Sequence, residues 1–215
     1  MKTALIFDLD GTLLDTLEDL LDATNYALVS CGYPERTLAQ LRAVVGNGAE
    51  NQIRKSLPEG TPEPEVQRVL GVYKPYYTAH CQNKTKPYDG ILPALGELGQ
   101  RYPLAIVSNK PDSAVKALCA DCFPGIYALG ESPDCPRKPA PDMVFKAMTA
   151  IGADRCIYIG DSEVDILTAR NAGVPCLSVT WGFRDESQLI DAGAEHLCPE
   201  PAGISQKIEE MIHGK

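Results

Sequence analysis

The sequence predicts an α/β protein in which a doubly wound parallel sheet carries an inserted, all-helical domain. Short apolar runs rich in strand-forming residues recur along the chain, and these predicted strands are 3–8, 103–108, 126–130, 155–160 and 174–180. Helical patterns, with apolar residues every three to four positions, lie between most of the runs. One long segment, 16–85, contains helical patterns but no convincing strand. Alternating strands and helices favour a parallel sheet that is covered on both faces.

Each element is predicted from its local pattern. The first strand ends in a turn at Gly11, where the missing side chain permits a sharp bend. In the inserted segment the predicted helices are 16–31, 37–45, 48–57 and 63–81, with Pro and Gly residues between them. After the turn at residues 87–90 the alternation resumes, and the predicted helices are 112–122, 141–152, 163–172, 184–193 and 201–213. The predicted domains are therefore a core formed by residues 1–15 and 86–215 and a helical insertion formed by residues 16–85.

The composition is that of an ordinary globular protein and disfavours two classes of partner. Hydrophobic residues make up 44% of the chain and charged residues 23%, and the net charge is −9. An acidic surface disfavours nucleic acid and anionic membranes as partners. No run approaches the ~20 apolar residues of a membrane span, and the N-terminal run is too short for a signal peptide. We therefore expect a cytoplasmic protein, either a monomer or a homodimer, because this charge opposes only non-specific association.

The eight cysteines are expected to be reduced thiols, since the chain shows no secretory pattern and is long enough to fold without covalent staples. Cys119 and Cys122 have the C-x-x-C spacing of some zinc and redox sites. A zinc site would need more ligands nearby, and Cys135 is the one plausible third ligand. We interpret the cysteines as small, buried hydrophobic side chains.

Carboxylates follow two of the predicted strands. Asp8 and Asp10 leave the first strand at its tip, on one face in regular strand geometry, and Asp161 follows the run 155–160. Open α/β sheets bind ligands at the carboxyl ends of their strands, and carboxylate oxygens are ligands of hard cations such as Mg²⁺. The competing interpretation of Asp10–Gly11 is an ordinary turn. For Asp165, it is a favourable interaction with the positive end of the next helix.

A hydroxyl and a cation occupy two other loop positions. Ser108 ends the strand 103–108, where its hydroxyl suits a phosphate oxygen or, alternatively, caps the following helix. Lys138, in the segment Arg137-Lys138-Pro139, supplies the positive charge that an acidic protein needs in order to hold an anion. A solvated Lys-Pro loop is the competing interpretation.

These motifs, taken in order, resemble the signature of the haloacid dehalogenase-like phosphatases. The order is D-x-D-G-T at residue 8, serine at a strand end, Lys-Pro, and G-D-x-x-x-D at residue 160, and the resemblance covers essentially the whole chain. It implies a Rossmann-like core, and the insertion resembles the C1-type cap of that family. The segments Val45-Gly46-Asn47-Gly48, Ser108-Asn109-Lys110 and Arg137-Lys138-Pro139 resemble the phosphoglycolate phosphatase subgroup.

The resemblance implies a Mg²⁺-dependent hydrolase of small phosphate monoesters, with phosphoglycolate as the expected substrate. Asp8 would be the nucleophile that carries an aspartyl-phosphate, which splits one difficult step into two. Asp10 would be the general acid and then the general base. Mg²⁺, for which Mn²⁺ or Co²⁺ can substitute in an oxygen site, would be held by Asp8, Asp161 and the backbone carbonyl of Asp10.

The remaining roles are also implied by the resemblance. Ser108 and Lys138 would complete the catalytic set and hold phosphoryl oxygens, and Asp165 would support Lys138 or the metal. The further residues expected to contact substrate or phosphate are Gly11, Thr12, Asn47 and Asn109. Arg42 and Arg54 are nearby cations that either pair with a substrate carboxylate or are solvent-exposed helix charges.

Other functions remain open at the level of sequence. A phosphomutase of the β-phosphoglucomutase type would share the same core and aspartates. A nucleotide monophosphate, pyrophosphate or a sugar phosphate would fit the same chemistry. A catalytically silent binding protein is disfavoured because no member of the catalytic set is missing, although fold alone does not establish function. A dehalogenase is disfavoured because Lys-Pro and a metal carboxylate suit phosphoryl groups.

Overall fold

Six parallel strands form the sheet around which the larger part of the chain folds. The computed structural model describes residues 1–214. The strands of this sheet and of a second, two-stranded sheet are together β1 Thr3–Phe7, β2 Leu14–Asp15, β3 Lys86–Pro87, β4 Leu104–Pro111, β5 Tyr127–Glu131, β6 Arg155–Gly160, β7 Cys176–Val179 and β8 His196–Cys198. The helices are α1 Leu17–Ser30, α2 Leu38–Arg42, α3 Gly48–Ser56, α4 Glu63–His80, α5 Ile91–Leu98, α6 Asp112–Cys122, α7 Asp142–Ile151, α8 Glu163–Ala172, α9 Glu186–Asp191 and α10 Ile204–His213, the last preceded by a short 3₁₀ turn at Pro201–Gly203.

The chain divides into two compact units. One consists of Met1–Leu14 and the chain from Pro87 onward, and the other of Asp15–Lys86. The larger unit contains the six-stranded sheet, and the smaller unit contains helices α1 to α4. Strands β2 and β3 form a separate two-stranded sheet.

The strand order of the large sheet is β5-β4-β1-β6-β7-β8, and every neighbouring pair is parallel. The chain runs outward from β1 in both directions, through β4 and β5 on one side and through β6, β7 and β8 on the other. Such a reversal of strand order leaves a crevice at the carboxyl ends of the central strands. The predicted doubly wound parallel sheet is therefore confirmed, and its ligand-binding edge lies beyond β4, β1 and β6.

Alternate residues of the central strand pack on opposite faces of the sheet. Leu5 and Phe7 belong to one buried hydrophobic cluster, whereas Ala4 and Ile6 belong to the other. Helices α5, α6 and α10 contribute to the first cluster, and α7 and α8 contribute to the second. Burying one large apolar side chain stabilises the fold by roughly 1.5–3 kcal/mol, so both faces hold β1 rigidly in place.

The sequence patterns missed the two-residue strands β2 and β3 as well as β8 and α5. Strand β8 has three residues, of which His196 is exposed, so it is too short to show an apolar period. Helix α5 carries Pro93 in its first turn, where proline is tolerated because the first amide has no helical partner. Strand β4 extends to Pro111, beyond the predicted end at Ser108, because its pairing with β5 resumes after an irregularity between these two residues.

The smaller unit is held together by a buried polar contact as well as by apolar packing. Gln52 on α3 donates a hydrogen bond of 2.8 Å to the Thr24 hydroxyl on α1, and its amide nitrogen lies 3.5 Å from the Tyr73 hydroxyl on α4. The Asp19 carboxylate accepts hydrogen bonds from the backbone amides of Lys84 and Thr85. The start of α1 is thereby joined to the segment that leads out of the unit.

Candidate active site

Asp8 is the first residue after β1 and lies at the crevice edge of the sheet. Its backbone amide donates to the Ile159 carbonyl at 2.8 Å, which continues the pairing of β1 with β6. Its side-chain Oδ1 accepts the Leu9 amide at 2.7 Å and lies 2.8 Å from Lys138 Nζ. Burial and the nearby Asp165 carboxylate raise the pKa of Asp8 well above its usual range, while Lys138 opposes that rise.

Lys138 is almost fully buried, and its three ammonium protons face three acceptors. Nζ lies 2.8 Å from Asp8 Oδ1, 2.8 Å from Asp165 Oδ1 and 3.1 Å from the Tyr158 hydroxyl. Burial lowers the pKa of Lys138, but the Asp165 and Asp8 carboxylates outweigh burial and raise the pKa above its ordinary value. Lys138 is therefore held as a cation beside Asp8.

Asn109 fixes the backbone of Lys138. Its side-chain Oδ1 accepts the Lys138 amide at 2.6 Å, and its Nδ2 donates to the Lys138 carbonyl at 3.1 Å. The sequence predicts Asn109 as a phosphate contact. In the structure its side-chain amide holds the loop that carries the cation, so that contact remains a prediction.

Asp165, in the first turn of α8, orients the cation. Its Oδ1 accepts Lys138 Nζ and, at 3.0 Å, the Tyr158 hydroxyl. Its Oδ2 accepts the Ser162 amide at 3.1 Å and the Ser162 hydroxyl at 2.6 Å. These four donors match the number of lone-pair sites on a carboxylate. Tyr158 was missed by sequence reasoning, because a tyrosine inside a buried strand looks like ordinary core.

Asp161 follows β6 and is 1% exposed. The Thr12 hydroxyl donates to its Oδ1 at 3.0 Å, and the Phe183 amide donates to its Oδ2 at 2.7 Å. Burial, with a smaller contribution from Asp165, raises the pKa of Asp161 to about 7, although the Phe183 and Thr12 hydrogen bonds act in the opposite direction. The sequence predicts that Thr12 contacts phosphate; its side chain contacts this carboxylate, and the phosphate contact stays a prediction.

The carboxylates of the site form a cluster that suits a divalent cation. Oxygen atoms of Asp8, Asp161 and Asp165 lie within 4.8 Å of one another. Asp165 is already saturated by donors, which leaves Asp8 and Asp161 as the better ligands. The raised pKa values of these two groups reflect buried negative charge that a cation would offset, and an all-oxygen donor set suits Mg²⁺.

Asp10 contacts a second buried lysine. Its Oδ1 lies 2.8 Å from Lys110 Nζ, and its Oδ2 lies 3.5 Å from the Ser108 hydroxyl. The first distance fits an ion pair although the angles miss hydrogen-bond geometry. The Ser108 hydroxyl also accepts the Lys110 amide at 3.2 Å, so the irregular end of β4 presents both side chains to Asp10. Lys110 lies in the Ser108-Asn109-Lys110 segment that resembles the family, but its pairing with Asp10 is not predictable from the sequence pattern.

Three other predicted features concern other parts of the chain. Asn47 belongs to the smaller unit, where it precedes α3. Arg54 is paired with Glu50 at 2.9 Å and with Glu63 at 2.7 Å, as expected for a helix surface charge. All eight cysteines are free thiols. In residues 1–214, the acidic cluster described above is the one group of side chains with the spacing of metal ligands, so a cysteine zinc site has no support there.

Comparison with known proteins identifies the family. The model of the haloacid dehalogenase-like hydrolases matches residues 5–179. The chain belongs to this family. It is 36% identical over 193 residues to the phosphoglycolate phosphatase of Rhodobacter capsulatus, covering 86% of this chain and 87% of that one. It is 33% identical to the phosphoglycolate phosphatase of Agrobacterium fabrum, covering 98% and 94% of the two chains.

Solved structures agree with the sequence comparisons. A crystal structure of a Lactobacillus delbrueckii subsp. bulgaricus protein superposes with a TM-score of 0.91 at 40% identity, covering all of both chains. A haloacid dehalogenase-like hydrolase of Streptococcus pneumoniae gives a TM-score of 0.87 at 25% identity, covering 96% of this chain and 98% of that one.

Among the described residues, no helix combines the length and the hydropathy that are needed to cross a membrane.

Proposed function

We propose that this family member is a Mg²⁺-dependent phosphatase that hydrolyses a small phosphate monoester, phosphoglycolate first among them, through an aspartyl-phosphate on Asp8. The observation that carries the proposal is the asymmetry of the Asp8 carboxylate. Oδ1 is held by the Leu9 amide and Lys138, whereas no donor among residues 1–214 contacts Oδ2. Oδ2 is therefore the oxygen available to attack phosphorus. The relatives that carry the name phosphoglycolate phosphatase support the choice of substrate.

The first half-reaction transfers the phosphoryl group to Asp8. As Oδ2 forms its bond to phosphorus, the bond from phosphorus to the substrate alkoxide breaks, and protonated Asp10 donates its proton to that alkoxide. Lys138 stays beside Oδ1 and offsets the charge of the site. Bound Mg²⁺, held by Asp8, Asp161 and the Asp10 carbonyl, would neutralise negative charge on the phosphoryl oxygens.

The second half-reaction restores the enzyme. Asp10, now a carboxylate, takes a proton from water as the water oxygen bonds to phosphorus, and the bond between phosphorus and Asp8 Oδ2 breaks. The Ser108 hydroxyl, which lies beside Asp10, would donate to a phosphoryl oxygen. Enzymes accelerate phosphate monoester hydrolysis by up to ~10²¹-fold, which explains why a charged, buried site is needed.

The smaller unit completes the proposal as a cap. We assign residues 16–85 to substrate selection and exclusion of water, with Asn47 as a substrate contact. The backbone amides of Gly11 and Thr12 and the side chain of Asn109 remain proposed phosphate contacts. A cytoplasmic enzyme that is a monomer or homodimer and binds no nucleic acid fits the acidic composition.

The decisive experiment is Mg²⁺-dependent phosphate release from a substrate panel. The panel contains phosphoglycolate, nucleotide monophosphates, pyrophosphate and sugar phosphates, and Asp8→Asn is assayed in parallel. Asp191→Asn is the matched control, because Asp191 is an exposed aspartate at the end of α9. We expect a preference for phosphoglycolate in the native protein and the control, and no turnover in a folded Asp8→Asn variant.

Other outcomes have distinct meanings. Near-normal turnover by folded Asp8→Asn would remove Asp8 as the nucleophile. Weak release from all substrates would reject phosphoglycolate but keep the phosphatase. Isomerisation of glucose 1-phosphate without phosphate release would make the protein a phosphomutase.

A further inference from the structure

The segment Thr180–Arg184, called here the clasp segment, leaves β7 and reaches the Asp161 carboxylate. The Phe183 amide donates to Asp161 Oδ2 at 2.7 Å, while the Thr12 hydroxyl donates to Oδ1 at 3.0 Å. Each carboxylate oxygen is therefore held by one donor, and the two donors come from loops that are far apart in sequence. Each oxygen keeps a lone pair for a further partner.

Trp181 joins the clasp segment to the loop after β1. Its indole nitrogen donates to the Thr12 carbonyl at 3.0 Å. The residue whose hydroxyl holds Asp161 is thus itself held by the clasp segment through its backbone. Trp181 is also the one tryptophan of the chain.

Two glycines enclose the Asp161 side chain. A Cβ added at Gly182 would lie 2.3 Å from Asp161 Cβ and 2.4 Å from the Gly11 carbonyl oxygen. A Cβ added at Gly11, where φ is +83°, would lie 2.3 Å from Asp161 Oδ2. No side chain fits at either position unless the Asp161 side chain moves, and at Gly182 the Gly11 backbone would have to move as well.

The far end of the clasp segment is anchored by an ion pair. Arg184 Nε lies 2.7 Å from Glu163 Oε2, and its Nη2 donates to Oε1 at 3.1 Å. The two-point contact between a guanidinium and a carboxylate restricts both side chains. Because Glu163 begins α8 two residues after Asp161, this contact fixes the clasp segment to the backbone that carries the carboxylate.

We propose that the clasp segment is a positioning device for the metal site: it holds Asp161 in the rotamer that binds a divalent cation, although Trp181 and Gly182 offer no ligand. The inference rests on the proposed function in treating Asp161 as a Mg²⁺ ligand. Partners that orient a metal ligand typically change metal affinity by ~10- to 100-fold. Their removal here is expected to weaken Mg²⁺ binding in the absence of substrate.

The test measures Mg²⁺ affinity directly by isothermal titration calorimetry. Trp181→Phe keeps an aromatic ring and removes the donor to Thr12, and we expect its Kd for Mg²⁺ to rise about tenfold. Gly182→Ala displaces Asp161, and we expect a rise toward 100-fold. The matched controls are Tyr102→Phe, which removes an aromatic donor to Glu209, and Gly96→Ala, where an added Cβ meets no atom within 4 Å. Both controls should keep the native Kd.

A second readout uses the single tryptophan. Mg²⁺ added to the native protein should change the Trp181 emission, and the change should be half-maximal at the Kd measured by calorimetry. In a folded Asp161→Asn variant the emission change should disappear. Because this measurement needs no turnover, it reports on the metal site alone.

The outcomes separate this proposal from the proposed function. If Asp161→Asn loses Mg²⁺ binding while folded Trp181→Phe and Gly182→Ala keep the native Kd, the positioning role is overturned and the metal site stands. If Asp161→Asn binds Mg²⁺ normally, the metal assignment and the positioning role both fail. If Gly182→Ala does not fold, Trp181→Phe decides the question.

Discussion

Replacing Tyr158 by phenylalanine should destabilise the protein by about 3 kcal/mol. The hydroxyl accepts Lys138 Nζ at 3.1 Å and donates to Asp165 Oδ1 at 3.0 Å, in a fully buried position. Hydrogen bonds to charged groups contribute about 1.5–3 kcal/mol each, and because these two share one hydroxyl, the lower end of their sum applies. In a chain of this length the loss corresponds to a fall in Tm of about 6–12 °C. We also expect slower turnover, because Lys138 loses one of its three fixed partners.

The assay combines thermal unfolding with phosphate release. Tyr127→Phe is the control, since Tyr127 is an exposed tyrosine at the start of edge strand β5. A Tyr158→Phe variant that unfolds within 1–2 °C of this control would refute the reasoning. It would mean that the Lys138–Asp165 contact is self-sufficient and that the hydroxyl contributes nothing to it.

Two further predictions concern the acidic residues. Lys110→Met should lower turnover by about tenfold or more on alkyl phosphates and less on p-nitrophenyl phosphate, because Lys110 holds the Asp10 carboxyl group in position for proton transfer and a good leaving group needs little protonation. Equal losses on both substrates would contradict this. Without divalent cations the native protein should lose stability as pH rises from about 4 to about 7. The reason is that Asp161, with its pKa raised to about 7, keeps its proton in the folded state after the unfolded chain has released it. Urea unfolding at a series of pH values measures this slope, and an equally steep slope in Asp161→Asn would remove Asp161 as its source.

The sequence was sufficient to predict the parallel sheet and the residues at its crevice edge. Strands β1, β4 and β6 are buried on both faces and so appear as continuous apolar runs, and polar residues stand out where those runs end. Asp8, Asp161 and Lys138 come together because the parallel strands and the β5–α7 loop present their ends to one crevice.

The supporting contacts could not be predicted in the same way. In a sequence pattern, Tyr158 and Phe183 look like ordinary apolar residues. Tyr158, however, acts through its hydroxyl, and Phe183 acts through its backbone amide. The partners of the Thr12 and Asn109 side chains lie 149 and 29 residues away in sequence. Such pairings depend on the close approach of loops, which local periodicity does not encode.

The pairing of the two short strands β2 and β3 makes the helical unit an insertion that can be replaced without changing the sheet. The chain leaves for the helices at Leu14–Asp15 and returns at Lys86–Pro87, and these two segments pair with each other. Entry and exit are therefore neighbours in space, so the 72 residues between Leu14 and Pro87 place no demand on the register of β1 against β4 and β6. An insertion of another size or shape could therefore replace residues 15–86 at this point of the chain. Substrate choice could then diverge while the residues that transfer the phosphoryl group stay unchanged.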